Sequence, residues 1–142
     1  MPKMLIALPA LLALPLLTAA SGPATLDITV TGLKHTRGAL LACVWKDKSG
    51  FPTCQKSKNA VRQTVKISST AMKVRFTGLA AGSYGVSIHH DEDGDGKLKT
   101  NFIGMPKEGV GVSNNPGGMP GWNKSLVQIG AGSAISITMR YL

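Results

Sequence analysis

The chain has 142 residues, with 16 Lys+Arg against 7 Asp+Glu and 43% hydrophobic residues. A chain of this size supports one domain with a real core. Beyond the first 20 residues it carries no long apolar segment, which excludes a transmembrane span in the mature protein.

Residues 1–20, "MPKMLIALPALLALPLLTAA", have a basic start at Lys3, an apolar run over 4–17 and then small residues. That layout predicts a secretory signal peptide cleaved after Ala20. The run is 14 residues long and holds Pro9 and Pro15, so it is short for a membrane span. The mature domain is then 21–142, exported to the periplasm or secreted. Losing Lys3 leaves 15 Lys+Arg against 7 Asp+Glu, a net +8, and five of the seven acids lie between Asp91 and Glu108. The remaining surface must be almost purely basic. Outside the cytosol this reads first as a basic surface with no specific partner; the alternative is contact with anionic lipid headgroups or cell-wall polymers, and nucleic acid is a poor fit.

The mature chain reads as strands and turns. "LDITVTGL" (26–33) alternates Leu26, Ile28 and Val30 with polar residues. "GALLACVWKD" (38–47) is more apolar and predicts a central strand. "VRQTVKI" (61–67) and "AMKVRFTGL" (71–79) alternate again, the second with Met72, Val74 and Phe76 inward. "YGVSIHH" (84–90) puts Tyr84, Val86, Ile88 and His90 on one face and turns His89 to solvent. "AISITMRYL" (134–142) groups Ile135, Ile137, Met139 and Tyr141. No stretch has a helical period. About seven short strands in 120 residues predict an all-β, antiparallel β-sandwich.

Cys43 and Cys54 are the only cysteines. Export and the absence of other partners predict a structural disulfide between them. Trp45 and Trp122 read as a core residue and a loop anchor. The segment 91–125 breaks the strand texture, with 8 of the 17 glycines and three prolines. A connection this long in a small domain is a functional or disordered segment.

That segment opens on "HHDEDGDGKLKTN" (89–101). Asp91, Asp93 and Asp95 followed by Gly96 match the first half of a calcium loop, with the Lys97 carbonyl next in order. Lys99 and Phe102 stand where such a loop supplies further oxygens, so it is not an EF-hand. Asn101 and Glu108 are the residues expected to complete a Ca²⁺ shell; the alternative is a solvated acidic turn. His90 reads as a histidine hydrogen-bonded to loop backbone, with a ligand or general base as the alternative. "GVSNN" (111–115) falls one glycine short of a nucleophile elbow, so Ser113 reads first as a turn residue.

"GLAAGSYGVSIHHDEDGDGKLKTNFIGMPKEGVGVSNN" (78–115) resembles the signature of DUF2141, a family of exported bacterial proteins of unknown function. His90, Asp91, Glu92, Gly94, Asp95, Gly96, Asn101, Glu108, Gly109, Gly111, Ser113, Asn114 and Asn115 all fall on its pattern. Lys99 departs from it, standing where the family often has Asp, and Asp93 stands where it often has Asn. The resemblance implies a transthyretin-like or carboxypeptidase-regulatory-like sandwich in which 90–115 acts as one unit, and it brings no catalysis. Two functional readings follow: a non-enzymatic exported module whose acidic loop holds calcium or folds as a turn, and a small envelope hydrolase using His90, the aspartates and Ser113.

Overall fold

A computed structural model describes residues 22–142. The expected leader at 1–20 lies outside the described residues. Eight strands follow one another: β1 (Ala24–Thr31), β2 (Ala39–Trp45), β3 (Val61–Lys66), β4 (Met72–Leu79), β5 (Gly82–Asp91), β6 (Gly109–Val112), β7 (Val127–Ile129) and β8 (Ser133–Thr138). Among the described residues there is no α-helix, only single 3₁₀ turns at Cys54–Lys56 and Asn123–Ser125.

The strands form a sandwich. One sheet has the order β4-β1-β8, the other β3-β2-β5-β6, with β7 pairing the start of β5. The alternation of β1 sets the inner face: Leu26, Ile28 and Val30 are fully buried. They meet Val74 and Phe76 of β4 and, across the sandwich, Leu40, Ala42, Val44, Val86 and Ile88. Each fully buried Leu, Ile, Val or Phe contributes about 1.5–3 kcal/mol. β3 and β4 are the outer strands on one side, and the Gln63 side-chain amide reaches across to the Arg75 carbonyl at 2.7 Å. Arg62, Lys66, Lys73 and Arg75 on these two strands are exposed.

The sandwich departs from the expected pattern in three places. β1 and β8 run parallel, from Leu26↔Ser133 to Thr31↔Thr138. A parallel pair needs a long crossover, and here everything between β1 and β8 supplies it. Second, β6 falls inside the 91–125 segment and divides it into two loops. β6 and β7 are strands of four and three residues, too short for alternation to register. Third, β5 does not alternate: from Tyr84 to Asp91 every residue is buried. The two loops and the 46–60 connection fold over its outer face. His89, expected at the solvent, is therefore only 6% exposed.

The outer face of the β2–β5 sheet carries a second cluster. Cys43, Trp45 and Cys54 are buried, with Phe51, Ala60 and Trp122 packed against them. The Trp45 Nε1–H donates to Ser87 Oγ at 2.8 Å. So Trp45 is core and Trp122 anchors its loop, as their sequence settings indicate. Cys43 and Cys54 stand at disulfide distance, their Cα atoms 6.0 Å apart. Closing so short a loop stabilises the fold by about 3 kcal/mol. Denaturant unfolding of the oxidised protein should show this margin over the Cys43→Ala/Cys54→Ala variant, and two titratable thiols in protein purified without reductant would remove its basis.

Candidate functional site

The acidic loop begins where β5 ends. Asp91 is only 3% exposed. One carboxylate oxygen accepts the Gly94 N–H at 3.0 Å and the other the Gly96 N–H at 2.9 Å. The backbone can curl that tightly because Gly94 and Gly96 take φ of +76° and +73°, which side chains disfavour. Asp93 Oδ1 accepts the Asp95 N–H at 3.2 Å, and Asp95 Oδ1 the Lys97 N–H at 2.8 Å. One oxygen from each aspartate lies within 4.8 Å of the other two. Lys99, the residue in the ninth position, sends its ammonium to Asp93 Oδ2 and sits 4.0 Å from Asp95 Oδ2. The cluster thus carries its own partial counter-charge.

Asn101 and Glu108, expected in the same shell, serve other groups. Asn101 Oδ1 accepts the Ile103 and Met105 N–H groups at 3.1 and 3.0 Å, closing the tip of the loop. Glu108 is buried. Its Oε1 accepts the Glu92 N–H at 3.0 Å, and its Oε2 accepts the Lys99 N–H at 3.3 Å and the His89 Nε2–H at 2.8 Å. Glu108 thus fastens the start and the middle of the loop to the sheet, which is why the loop covers His89. The second ring nitrogen of His89 is buried and has no hydrogen-bond partner.

On the inner face, His90 is fully buried at the end of the core. Its Nε2–H donates to the Arg37 carbonyl at 2.7 Å, and its Nδ1 faces the Tyr141 hydroxyl at 2.6 Å. A carbonyl only accepts, so Nε2 holds the hydrogen and Nδ1 accepts from Tyr141. The Tyr141 oxygen in turn accepts the Lys34 N–H at 3.1 Å. His90 thus bonds loop backbone, the role its strand position predicts. The ring of Tyr141 fits here because β6 has Gly109: a Cβ there would come within 2.4 Å of it. His35 stands edge-on to His90, ring centroids 4.8 Å apart, and bonds Glu92 Oε1 through Nε2 at 2.7 Å. His35, His90 and Glu92 form a second group whose ligand atoms lie within 4.8 Å of one another.

Ser113 takes no part in either group. It is fully buried, accepts the Val86 N–H at 3.0 Å and donates to the Ser125 carbonyl. Val86 and His90 are four residues apart on one strand, roughly 13 Å. The expected hydrolase set of His90, the aspartates and Ser113 is therefore not assembled. The rest of the "SNN" stretch is a clamp. Asn114 donates to the Lys124 and Leu126 carbonyls at 3.1 and 2.9 Å, and Asn115 bonds the Ser136 carbonyl and the Thr138 N–H at 3.0 and 2.8 Å.

His35, Glu92 and Tyr141 escape a sequence reading as site residues. They lie about 50 or more positions apart in sequence: the pairing of β2 with β5 brings His35 to Glu92, and the Val110–Arg140 bridge beside β6 brings in Tyr141. The available signals are a lone His35 between two predicted strands and the place of Glu92 on the DUF2141 pattern.

The chain is an all-β sandwich with one long loop that gathers acidic and imidazole groups at one end. The family profile described as "Uncharacterized protein conserved in bacteria (DUF2141)" matches residues 28–137. The chain belongs to the DUF2141 family. No curated protein and no solved structure matches it significantly.

Burial of the Tyr141 hydroxyl raises its pKa above the ordinary phenol value; the Lys34 N–H opposes this and the Glu92 charge adds to it. A raised folded pKa gives a contribution that is complete below the unfolded value, about pH 10, and is lost as pH climbs through the folded one. Equilibrium unfolding between pH 8 and 11 should show an alkaline loss of stability that is smaller in Tyr141→Phe. An identical pH slope in that variant would contradict the assignment.

Proposed function

We propose that this protein is an exported, non-enzymatic β-sandwich module whose 91–108 loop takes up one Ca²⁺ at Asp91, Asp93 and Asp95, for structure. The observation that carries the reading is the convergence of one oxygen from each aspartate within 4.8 Å, on a backbone curled at two glycines. Asp91 is held by two N–H groups, so one ligand is already oriented. Oxygen ligands on a curved loop are what calcium requires. The Lys97 carbonyl follows in the order such loops use, while the ordered roles of Asn101 and Glu108 leave water to fill the remaining positions. Lys99 competes for the same charge. Affinity is then in the weak extracellular range, roughly 10⁻⁴ to 10⁻³ M. The non-enzymatic reading rests on Ser113 and His90 being committed to backbone partners.

Thermal melts with millimolar calcium and with chelator should differ. At a free calcium concentration 100 times the dissociation constant the gain is about 2.7 kcal/mol. Asp93→Asn/Asp95→Asn should abolish the difference, and Lys99→Gln should enlarge it by removing the competing ammonium. Magnesium should do less, because it demands a smaller octahedron. Superimposable melts, with no heat of binding for wild type or Lys99→Gln, would show that the loop is an acidic turn.

The basic exterior supports weak attachment to anionic envelope polymers or headgroups. Screening shortens from about 10 Å at 0.1 M salt to 3 Å at 1 M. Co-sedimentation with anionic vesicles or cell walls should therefore fall between those two salts, and equal binding at both would rule out charge as its cause.

A further inference from the structure

The group on the inner face has a different chemistry from the aspartates. Its donors are two imidazoles and one carboxylate, a set that suits zinc, copper and nickel and is poor for calcium. They come from three places: His35 from the β1–β2 loop, His90 from within β5, Glu92 from the residue after Asp91. The two groups share no residue. We propose that His35, His90 and Glu92 form a binding site for a divalent transition metal of the zinc and copper class.

Three observations carry this. First, one donor atom from each residue already lies within 4.8 Å of the others. Ligands on a tetrahedral ion at bond lengths of about 2.0–2.1 Å are roughly 3.4 Å apart, so the wider separations must close by at most about 1.4 Å and the 2.7 Å His35–Glu92 contact must open by about 0.7 Å. Second, His90 has the supporting bond that metal-ligating histidines use. Its Nε2–H is held by the Arg37 carbonyl, which fixes the ring and leaves Nδ1 as the lone pair on offer. That lone pair accepts the Tyr141 O–H at 2.6 Å, so an ion there requires the half-buried Tyr141 ring to shift and carry its oxygen out to ligand distance. Third, His35 Nε2 and Glu92 Oε1 face each other across one shared hydrogen at 2.7 Å, which a cation would replace once the pair opens.

The hydrogen count closes without an added reagent. His35 Nδ1 accepts the Arg37 N–H at 3.3 Å, so its hydrogen is on Nε2. On binding, that hydrogen moves to Nδ1 and Nε2 turns its lone pair to the ion. The cost is one long bond to an exposed amide, which water can replace. Three protein ligands leave a fourth position for water or the Tyr141 oxygen.

The test uses the mature, untagged protein, because the chain has only three histidines and a tag would mask them. Calorimetric titration with Zn²⁺ should give one site per chain. Titration with Cu²⁺ should give an electron paramagnetic resonance spectrum with coupling to imidazole nitrogen. His35→Ala and Glu92→Gln should each weaken Zn²⁺ binding more than tenfold, and both residues are partly exposed, so the fold should survive. Circular dichroism verifies that it does. Asp93→Asn/Asp95→Asn should leave the titration unchanged. Loss of Zn²⁺ binding in the aspartate variant with retention in His35→Ala would overturn the proposal and place the ion in the acidic loop. Absence of any saturable Zn²⁺ or Cu²⁺ binding would overturn it as well.

Discussion

A buried carboxylate has to be surrounded by donors, and Glu108 is surrounded by three. The backbone N–H groups of Glu92 and Lys99 and the ring of His89 converge on it from the start and the middle of one loop and from the sheet beneath. Hydrogen bonds to a charged group are worth about 1.5–3 kcal/mol each, so this one side chain supplies much of what it takes to order the loop. With the loop fixed, Asp91 can turn inward and collect Gly94 and Gly96, and Glu92 can face His35. Without it, both clusters lose their geometry. Glu108 therefore builds the site from behind rather than lining it.

The parts of the fold with long alternating strands were legible in the sequence. β1 and β4 alternate as read because each has one face in the core and one in water. β5 shows the limit of such reading. Its alternation is masked by loops that lie over its outer face, and a period of two says nothing about what covers the polar side. The same limit explains the misplacement of His89. β6 and β7 were missed because a four-residue strand containing two glycines, and a three-residue one, carry no period. The acidic run was legible because its residues are neighbours in sequence. The His35–His90–Glu92 group was only partly so, because it is made by strand pairing across more than 50 positions.

The residues that match the DUF2141 pattern mostly hold loops in place. Gly109 admits the ring of Tyr141, and Gly111 admits Ile137 and Met139 from the facing sheet. Ser113, Asn114 and Asn115 clamp the 122–126 segment and β8 onto β5 and β6. The stretch that looks like a broken nucleophile elbow is thus a joint between the two sheets. Gly109 and Glu108 thus support the end of the sandwich where the acidic and imidazole groups lie, while Ser113, Asn114 and Asn115 hold the sheets together further along β5 and β6.

The joint closes only one side. β8 is covered by Asn115, and Val110 and Arg140 bridge the sheets beside it. On the far side, β3 and β4 end their sheets, with no strand beyond them among the described residues. Unpaired strand edges invite another copy to add on, and lysines and arginines are a common defence. Lys66 and Lys73 are exposed on that open side and Gln63 takes one of its carbonyls, while Arg62 donates to the Ser57 carbonyl and Arg75 is paired with Asp27 of β1. Two molecules meeting edge to edge there bring cations against cations. Like charge at that edge opposes the addition of a second copy, an effect of the basic surplus that calls on no partner.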